Sequence, residues 1–139
     1  MNRHFFSFQV ISGVGDHPLG IAFNPVNKDM YVTNEVSNTV SVIDSSTNTV
    51  ISTISVGSDP FNIAFNPINN DMYVTNQGLG DVSVIDSSTN TVISTISFGS
   101  NSAPVDIAFN PTNNDMYVTD VGLGDVSVIE HSSKINLTT

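Results

Sequence analysis

The sequence predicts an all-β protein built from repeated units, and three observations indicate this fold class. The sixteen residues VSVIDSSTNTVISTIS occur unchanged at Val40–Ser55 and at Val82–Ser97, 42 residues further along the chain. Each unit contains four short runs rich in Val, Ile, Phe, Tyr and Thr, which is the composition of β-strands. The runs alternate with segments rich in Asn, Asp, Pro and Ser, which form turns and leave little room for a helix.

The four runs are predicted to form strands a to d of one sheet. In the second unit they read PFNIAFN, DMYVTN, DVSVID and TVISTISFG, and the last of these reads TVISTISVG in the first unit. The segments AFNP, DMYVT and VSVI recur at spacings of 42 and then 44 residues, and the two extra residues fall in the junction GSNSAP, where the preceding junction reads GSDP. Four strands in about 40–45 residues is the period of a β-propeller blade, so the chain is predicted to contain about three blades.

The repeat boundaries divide a single domain, residues 1–139, into four parts. An orphan outer strand lies in 1–15, blade 1 in 16–57, blade 2 in 58–99, and blade 3, with a truncated outer strand, in 100–139. The segment VISGVG in the first part resembles the strand d sequence TVISTISVG, so the orphan strand and the incomplete third blade are complementary halves. An alternative is that KINLTT, residues 134–139, forms a short strand d of its own.

The predicted blades are too few to form a ring, because propellers typically need about four to eight. An open arc exposes strand edges and blade faces that favour association. We therefore expect a homodimer, or another homo-oligomer, in which the Phe5–Gly13 strand of each subunit completes the partner's third blade and gives six blades with two-fold symmetry. The competing interpretation is that the chain is a fragment of a longer repeat array.

The words MYVTN at Met30–Asn34 and Met72–Asn76, and MYVTD at Met116–Asp120, resemble the YVTN repeat family of β-propellers. The resemblance extends from about Val14 to Glu130 and implies an extracellular or cell-surface protein of archaea or bacteria. The N-terminal sequence itself predicts no signal peptide, because its apolar run is short and mixed, and no segment approaches the length of a membrane span.

Composition restricts the classes of function. Thirteen acidic residues face three Lys and Arg residues, and the net charge of −10 argues against nucleic acid or an anionic membrane as partner. The absence of cysteine excludes disulfides, zinc thiolates and cysteine nucleophiles. None of the three histidines recurs with Ser, Asp or Glu at a spacing that would build a proton relay, so the residues favour a non-enzymatic role. His17 beside Asp16 is the best candidate acid–base pair.

One rim of the predicted propeller varies between copies. The d–a junctions GDHP, GSDP and GSNSAP and the b–c loops EVSN, QGLG and VGLG differ, whereas the a–b and c–d turns are nearly uniform. Loops on a rigid scaffold are where binding sites usually lie, although a solvated loop surface is the competing interpretation. The candidate binding residues on this rim are Asp16, His17, Glu35, Asp59, Asp81 and Asp125.

A second candidate site lies in the predicted axial channel. Period-two alternation in strand a places Gly20, Asn62 and Asp106, with the Ala and Asn residues of the same face, toward the axis. Oxygen ligands in a ring that contains Asp106 would suit a divalent cation such as calcium, and no other cofactor is expected. By contrast, Asp44, Asp86 and the Asn and Asp residues of the a–b turns are predicted to form turns, and the Met and Tyr residues of strand b to form core.

The sequence therefore predicts a non-catalytic propeller scaffold whose varied rim contacts a protein or cell-wall partner and whose blade faces assemble with another copy. The alternative is a small propeller hydrolase or lactonase with a divalent cation in the axial channel. That enzyme would use Asp106 together with Asp16 and Asp59 near the mouth of the channel.

Overall fold

The computed structural model describes residues 3–131, which form eleven β-strands in three antiparallel sheets, and this part of the chain contains no α-helix. Blade 1 consists of β1 (Pro18–Phe23), β2 (Asp29–Asn34), β3 (Thr39–Asp44) and β4 (Thr49–Ser55). Blade 2 consists of β5 (Pro60–Asn66), β6 (Asp71–Asn76), β7 (Asp81–Asp86) and β8 (Thr91–Ser97). Blade 3 consists of β9 (Pro104–Asn110), β10 (Asp115–Asp120) and β11 (Asp125–Ile129). The all-β prediction with about three blades is confirmed.

Each blade is a meander in which consecutive strands pair in chain order, and the first strands β1, β5 and β9 lie side by side. These first strands are therefore innermost. In the described part of blade 3, β11 is an edge strand. Residues 3–15 belong to none of the three sheets, and the alternative strand predicted at 134–139 lies outside the described residues.

Two hydrophobic cores lie between the blades. We call the face of a blade that packs on the following blade its trailing face. The buried residues of the trailing face of blade 1 are Tyr31, Val40, Val42 and Ile54. The opposite face is the leading face; in blade 2 its buried residues are Ile63, Met72, Val74 and Ile85. The same two patterns recur between blades 2 and 3. The prediction that the Met and Tyr residues of strand b are core is confirmed for Tyr31, Met72, Tyr73 and Met116, whereas Met30 and Tyr117, on the two outer faces of the arc, are only half-buried.

The prediction that one face of strand a points to the axis is wrong. Ala22 and Ala64 instead pack against the interblade cores, and Asn24 and Asn66 are buried. The reason is that a propeller blade is covered on both faces by its neighbours, so only the edge of its inner strand is left to face the axis. Alternation along a strand identifies its two faces but cannot identify its edge.

The Asn side chains before Pro and the Asp side chains of the c–d turns bond to the backbone as predicted. Asn24 Oδ1 accepts a hydrogen bond from Val26 N at 2.9 Å, and Asp44 Oδ1 accepts one from Ser46 N at 2.8 Å. The predicted role of Asp29 and Asp71 as acceptors is wrong, because no described residue donates to either carboxylate, and Asp115 accepts from His131 N rather than from its own turn. Instead, the amide oxygen two residues earlier, Asn27 Oδ1, accepts from Asp29 N at 2.9 Å.

Over the described part of the chain, we find no helix that combines the length and apolar character needed to cross a bilayer.

Candidate functional site

The varied rim is a hydrogen-bonded frame, because each b–c loop is tied to the d–a junction of its own blade. Glu35 N donates to His17 O at 3.0 Å, Gln77 N donates to Asp59 O at 3.0 Å, and Val121 N donates to Ala103 O at 3.1 Å. The three bonds occupy equivalent positions of the repeat. The structure thus brings both kinds of variable segment together at one end of every blade.

His17 pairs with Glu35 and not with its sequence neighbour Asp16. The distance between His17 Nδ1 and Glu35 Oε1 is 2.8 Å, and the histidine side chain is 65% exposed. The backbone φ of His17 is 62°, in the left-handed region, as is that of the equivalent Asp59 at 55°. An exposed pair of this kind contributes little to stability. It joins the d–a junction to the b–c loop of the same blade through side chains as well as through the backbone.

Asp81 lies at the edge of a cleft. Its Oδ1 accepts a hydrogen bond from Asn76 Nδ2 at 2.8 Å, which fixes the carboxylate. With Gly57 and Leu79 it lines an open cleft of about 290 Å³ between blades 1 and 2. The other rim carboxylates, those of Asp16, Asp59 and Asp125, belong to exposed residues and give this end of the blades an acidic surface.

Asp120 is a buried rim residue that the sequence reasoning missed. Its Oδ1 accepts hydrogen bonds from Ala103 N at 2.9 Å and Leu123 N at 3.0 Å, and its Oδ2 accepts one from the Ser102 hydroxyl. Burial acts to raise the pKa of Asp120, but these hydrogen bonds outweigh it and lower the pKa below its ordinary value. The carboxylate is therefore held in its charged form.

The equivalent residues in blades 1 and 2 are Asn34 and Asn76, each with an amide oxygen that is buried and has no partner among the described residues. In blade 2, Gly57 packs directly on this amide, since a Cβ there would lie 2.7 Å from Asn76 Nδ2. The equivalent Gly99 has nothing within 4 Å, because the longer junction follows a different path and places Ser102 at the carboxylate. The contact between Ser102 and Asp120 had a signal in the sequence, because the change from MYVTN to MYVTD and the two-residue insertion in the junction occur in the same copy.

The inner edge brings together the three residues predicted for the channel. Asn62 Nδ2 donates to Asp106 Oδ1 at 2.5 Å, and a Cβ at Gly20 would lie 2.8 Å from Asn62 Oδ1. The same Asp106 oxygen accepts from Ile107 N at 2.9 Å. Within residues 3–131, no group of three or more His, Asp and Glu side chains lies close enough to hold a metal ion. The calcium site stays a prediction.

The stacked meanders, two of four strands and one of three within the described residues, define the class of this chain as a β-propeller, and solved structures support that assignment. A hydrazine synthase of Kuenenia stuttgartiensis is 26% identical, with a TM-score of 0.64, over 84% of this chain and 38% of its own. A catalytically inactive virginiamycin B lyase from Staphylococcus aureus, determined with quinupristin, is 17% identical, with a TM-score of 0.66, over 85% of this chain and 42% of its own.

A protein of unknown function from Bacteroides caccae is 15% identical, with a TM-score of 0.63, over 73% of this chain and 38% of its own. The chain thus spans less than half the length of each of these structures. Neither a protein-family model nor a curated protein sequence matches the chain.

Proposed function

We propose that the chain is a non-catalytic β-propeller scaffold that binds a protein or cell-surface partner through its varied rim. The observation that carries this proposal is the contrast between the two rims. The b–c loops and d–a junctions differ in sequence from blade to blade, yet equivalent backbone hydrogen bonds hold them in all three blades. A fixed frame that presents different side chains is what a binding surface requires.

The charge of the rim indicates the chemistry of the partner. Five of the rim candidates are acidic, the sixth is His17, and Asp16, Asp59 and Asp125 are exposed. Complementary charge accelerates association and excludes partners of like charge, so the rim is suited to a basic surface. The cleft beside Asp81, at about 290 Å³, is at the lower limit for a small-molecule site, which favours a macromolecular partner.

The test is selection of displayed peptides on the immobilised chain, followed by calorimetry with the synthetic peptides. We expect basic peptides whose affinity falls at least tenfold in a variant with Asp16, Asp59 and Asp125 changed to Asn, and falls further with added salt. The matched control changes Asp44 and Asp86 to Asn on the opposite rim. Equal affinity for the rim variant and the wild-type chain would contradict the proposal.

Location at the cell surface and membership of the YVTN repeat family are parts of the same proposal. The resemblance of the MYVTN and MYVTD segments to that family supports both, and these segments recur in all three blades. Protease treatment of intact cells of the source organism tests the location. Loss of the protein from intact cells is the expected result, and full protection would contradict it.

We further propose that the propeller is completed by self-association through the N-terminal arm, residues 3–13. Phe5, Phe6, Phe8 and Val10 in this arm are 81–96% exposed, and such an apolar segment is suited to pair with an open sheet edge. Within the described residues, β11 is the edge strand of blade 3, and β11 of a second copy would supply that edge. A chain that lacks residues 1–13 should dissociate at a higher protein concentration than the full chain. An unchanged dissociation constant would contradict this role of the arm.

A further inference from the structure

The trailing face of blade 3 has the sequence of a buried interface but is open to solvent. Val40 and Val82, at equivalent positions of the trailing faces of blades 1 and 2, are 0% exposed. Val126 occupies the same repeat position in blade 3 and is 56% exposed, and Val128, the next residue of this face, is 44% exposed. Identical side chains are therefore core in two blades and surface in the third.

The leading face of blade 1 shows the reciprocal pattern on its innermost strand. Ile63 and Ile107 are 4% and 6% exposed where they pack on a preceding blade, whereas the equivalent Ile21 is 61% exposed. Phe23, two residues further along β1, is 48% exposed. Further out on the same face, Val32 and Ile43 are buried, so the exposed half of the interface at this end of the arc lies on β1.

The hydrogen-bond donor and acceptor that join neighbouring blades also recur at the two ends of the arc, the donor on blade 3 and the acceptor on blade 1. Thr33 Oγ1 donates to Phe61 O at 3.1 Å, and Thr75 Oγ1 donates to Val105 O at 2.9 Å. In blade 3, Thr119 Oγ1 accepts from Asp106 N at 3.0 Å, but its hydroxyl has no acceptor within the described residues. The residue equivalent to Phe61 and Val105 in blade 1 is Leu19, whose carbonyl has the matching position.

A second bond of the same kind joins strand b to the c–d turn of the next blade. Tyr31 donates its hydroxyl hydrogen to Asn90 Oδ1 at 2.7 Å. Tyr117 accepts from Asn113 Nδ2 at 2.8 Å, and for its own hydrogen the described chain offers no acceptor. Asn48 of blade 1 is the repeat equivalent of Asn90; its Nδ2 donates to Gln9 of the N-terminal arm at 2.9 Å, and its Oδ1 is the atom equivalent to the acceptor of Tyr31.

We infer that the trailing face of blade 3 docks on the leading face of blade 1 of a second copy. The Thr119 hydroxyl then donates to the Leu19 carbonyl, and the Tyr117 hydroxyl donates to Asn48 Oδ1 of that copy. Two copies of the three-bladed arc give six blades, which lies within the range of about four to eight that is typical of propellers. This inference rests on the self-association part of the proposed function and is independent of partner binding at the rim.

Light scattering after gel filtration, over a series of concentrations, tests the inference. The wild-type chain is expected at twice its 14.8 kDa. Val126→Asp and Ile21→Asp each place a charge in the proposed interface and should give a monomer. Val121→Asp is the matched control, since Val121 is 64% exposed on the b–c loop outside both faces, and this variant should stay dimeric.

Mixing the two interface variants separates loss of docking from loss of folding. Val126→Asp retains an intact leading face and Ile21→Asp retains an intact trailing face, so the mixture should form a heterodimer through one unaltered interface. Thr119→Val should raise the dissociation constant about thirtyfold, because a net hydrogen bond is worth about 1 kcal/mol and the ring contains two such interfaces. Thr33→Val, inside the arc, should lower the melting temperature without this effect.

A monomer at all concentrations, a series of larger open oligomers, or a Val126→Asp dimer would each overturn the inference. A mixture of the two variants that stays monomeric would overturn it as well. A monomer that still binds the rim peptides would refute this interface and leave the rim proposal intact. A dimer that binds no basic peptide would refute the rim proposal and leave this interface intact.

Discussion

Replacement of Val82 by Ala tests the interblade packing directly. Val82 is fully buried in the core between blades 2 and 3, where it lies with Tyr73 and Met116. The substitution removes two methyl groups at about 0.8 kcal/mol each and leaves a cavity, which gives a loss of about 2–3 kcal/mol in the free energy of unfolding. With a urea dependence of about 1–3 kcal/mol per molar, the midpoint of urea unfolding should fall by about 1 M or more.

Val126→Ala is the matched control, because the same residue type occupies the same repeat position and is 56% exposed. At a concentration where light scattering shows a monomer, its loss should be less than about 1 kcal/mol, since less than half of its apolar surface leaves water. At concentrations that favour self-association the loss should increase. Equal losses for the two variants in the monomer would refute the packing described here.

Three further predictions concern charged groups. The pKa of Asp71 is raised by burial and by the neighbouring carboxylate of Asp86, so its charge becomes destabilising as the pH rises through the ordinary Asp range. Asp71→Asn should therefore stabilise the fold at pH 7 by at most about 1 kcal/mol. Thermal melts of the variant and the wild-type chain below about pH 4 should show no difference. The pKa of Asp120 is lowered despite its burial, so the ionised carboxylate stabilises the fold above the ordinary Asp pKa, and this stabilisation is lost as the pH falls. Asp120→Asn should lower the free energy of unfolding, measured in urea, by about 1–3 kcal/mol at pH 7 and by less in acid. A loss that is the same at pH 7 and in acid would refute this prediction. A scaffold needs no cation, so calcium and EDTA should give the same melting temperature; stoichiometric calcium that is lost with Asp106→Ala would favour the hydrolase alternative instead.

Most of the fold could be predicted from the sequence because strands and turns are local features. The four strands of blade 2 were predicted to within two residues, since alternation and turn residues mark them directly. The rim was also correctly assembled, because successive connections of a meander alternate between the two ends of a sheet. The face of strand a was misassigned, because a sequence period identifies a face but not which neighbour covers it.

The sequence by itself determined the repeat, the number of blades, the acidic charge and the separation of a varied rim from a uniform one. These properties depend on the order and spacing of residues along the chain. Only the tertiary structure decided that His17 pairs with Glu35 and that Ser102 donates to Asp120. It also decided that Val126 is exposed whereas the equivalent Val82 is buried. Each of these contacts joins strands or loops whose separation depends on how sheets pack, and packing distance is not encoded in the local pattern of residues.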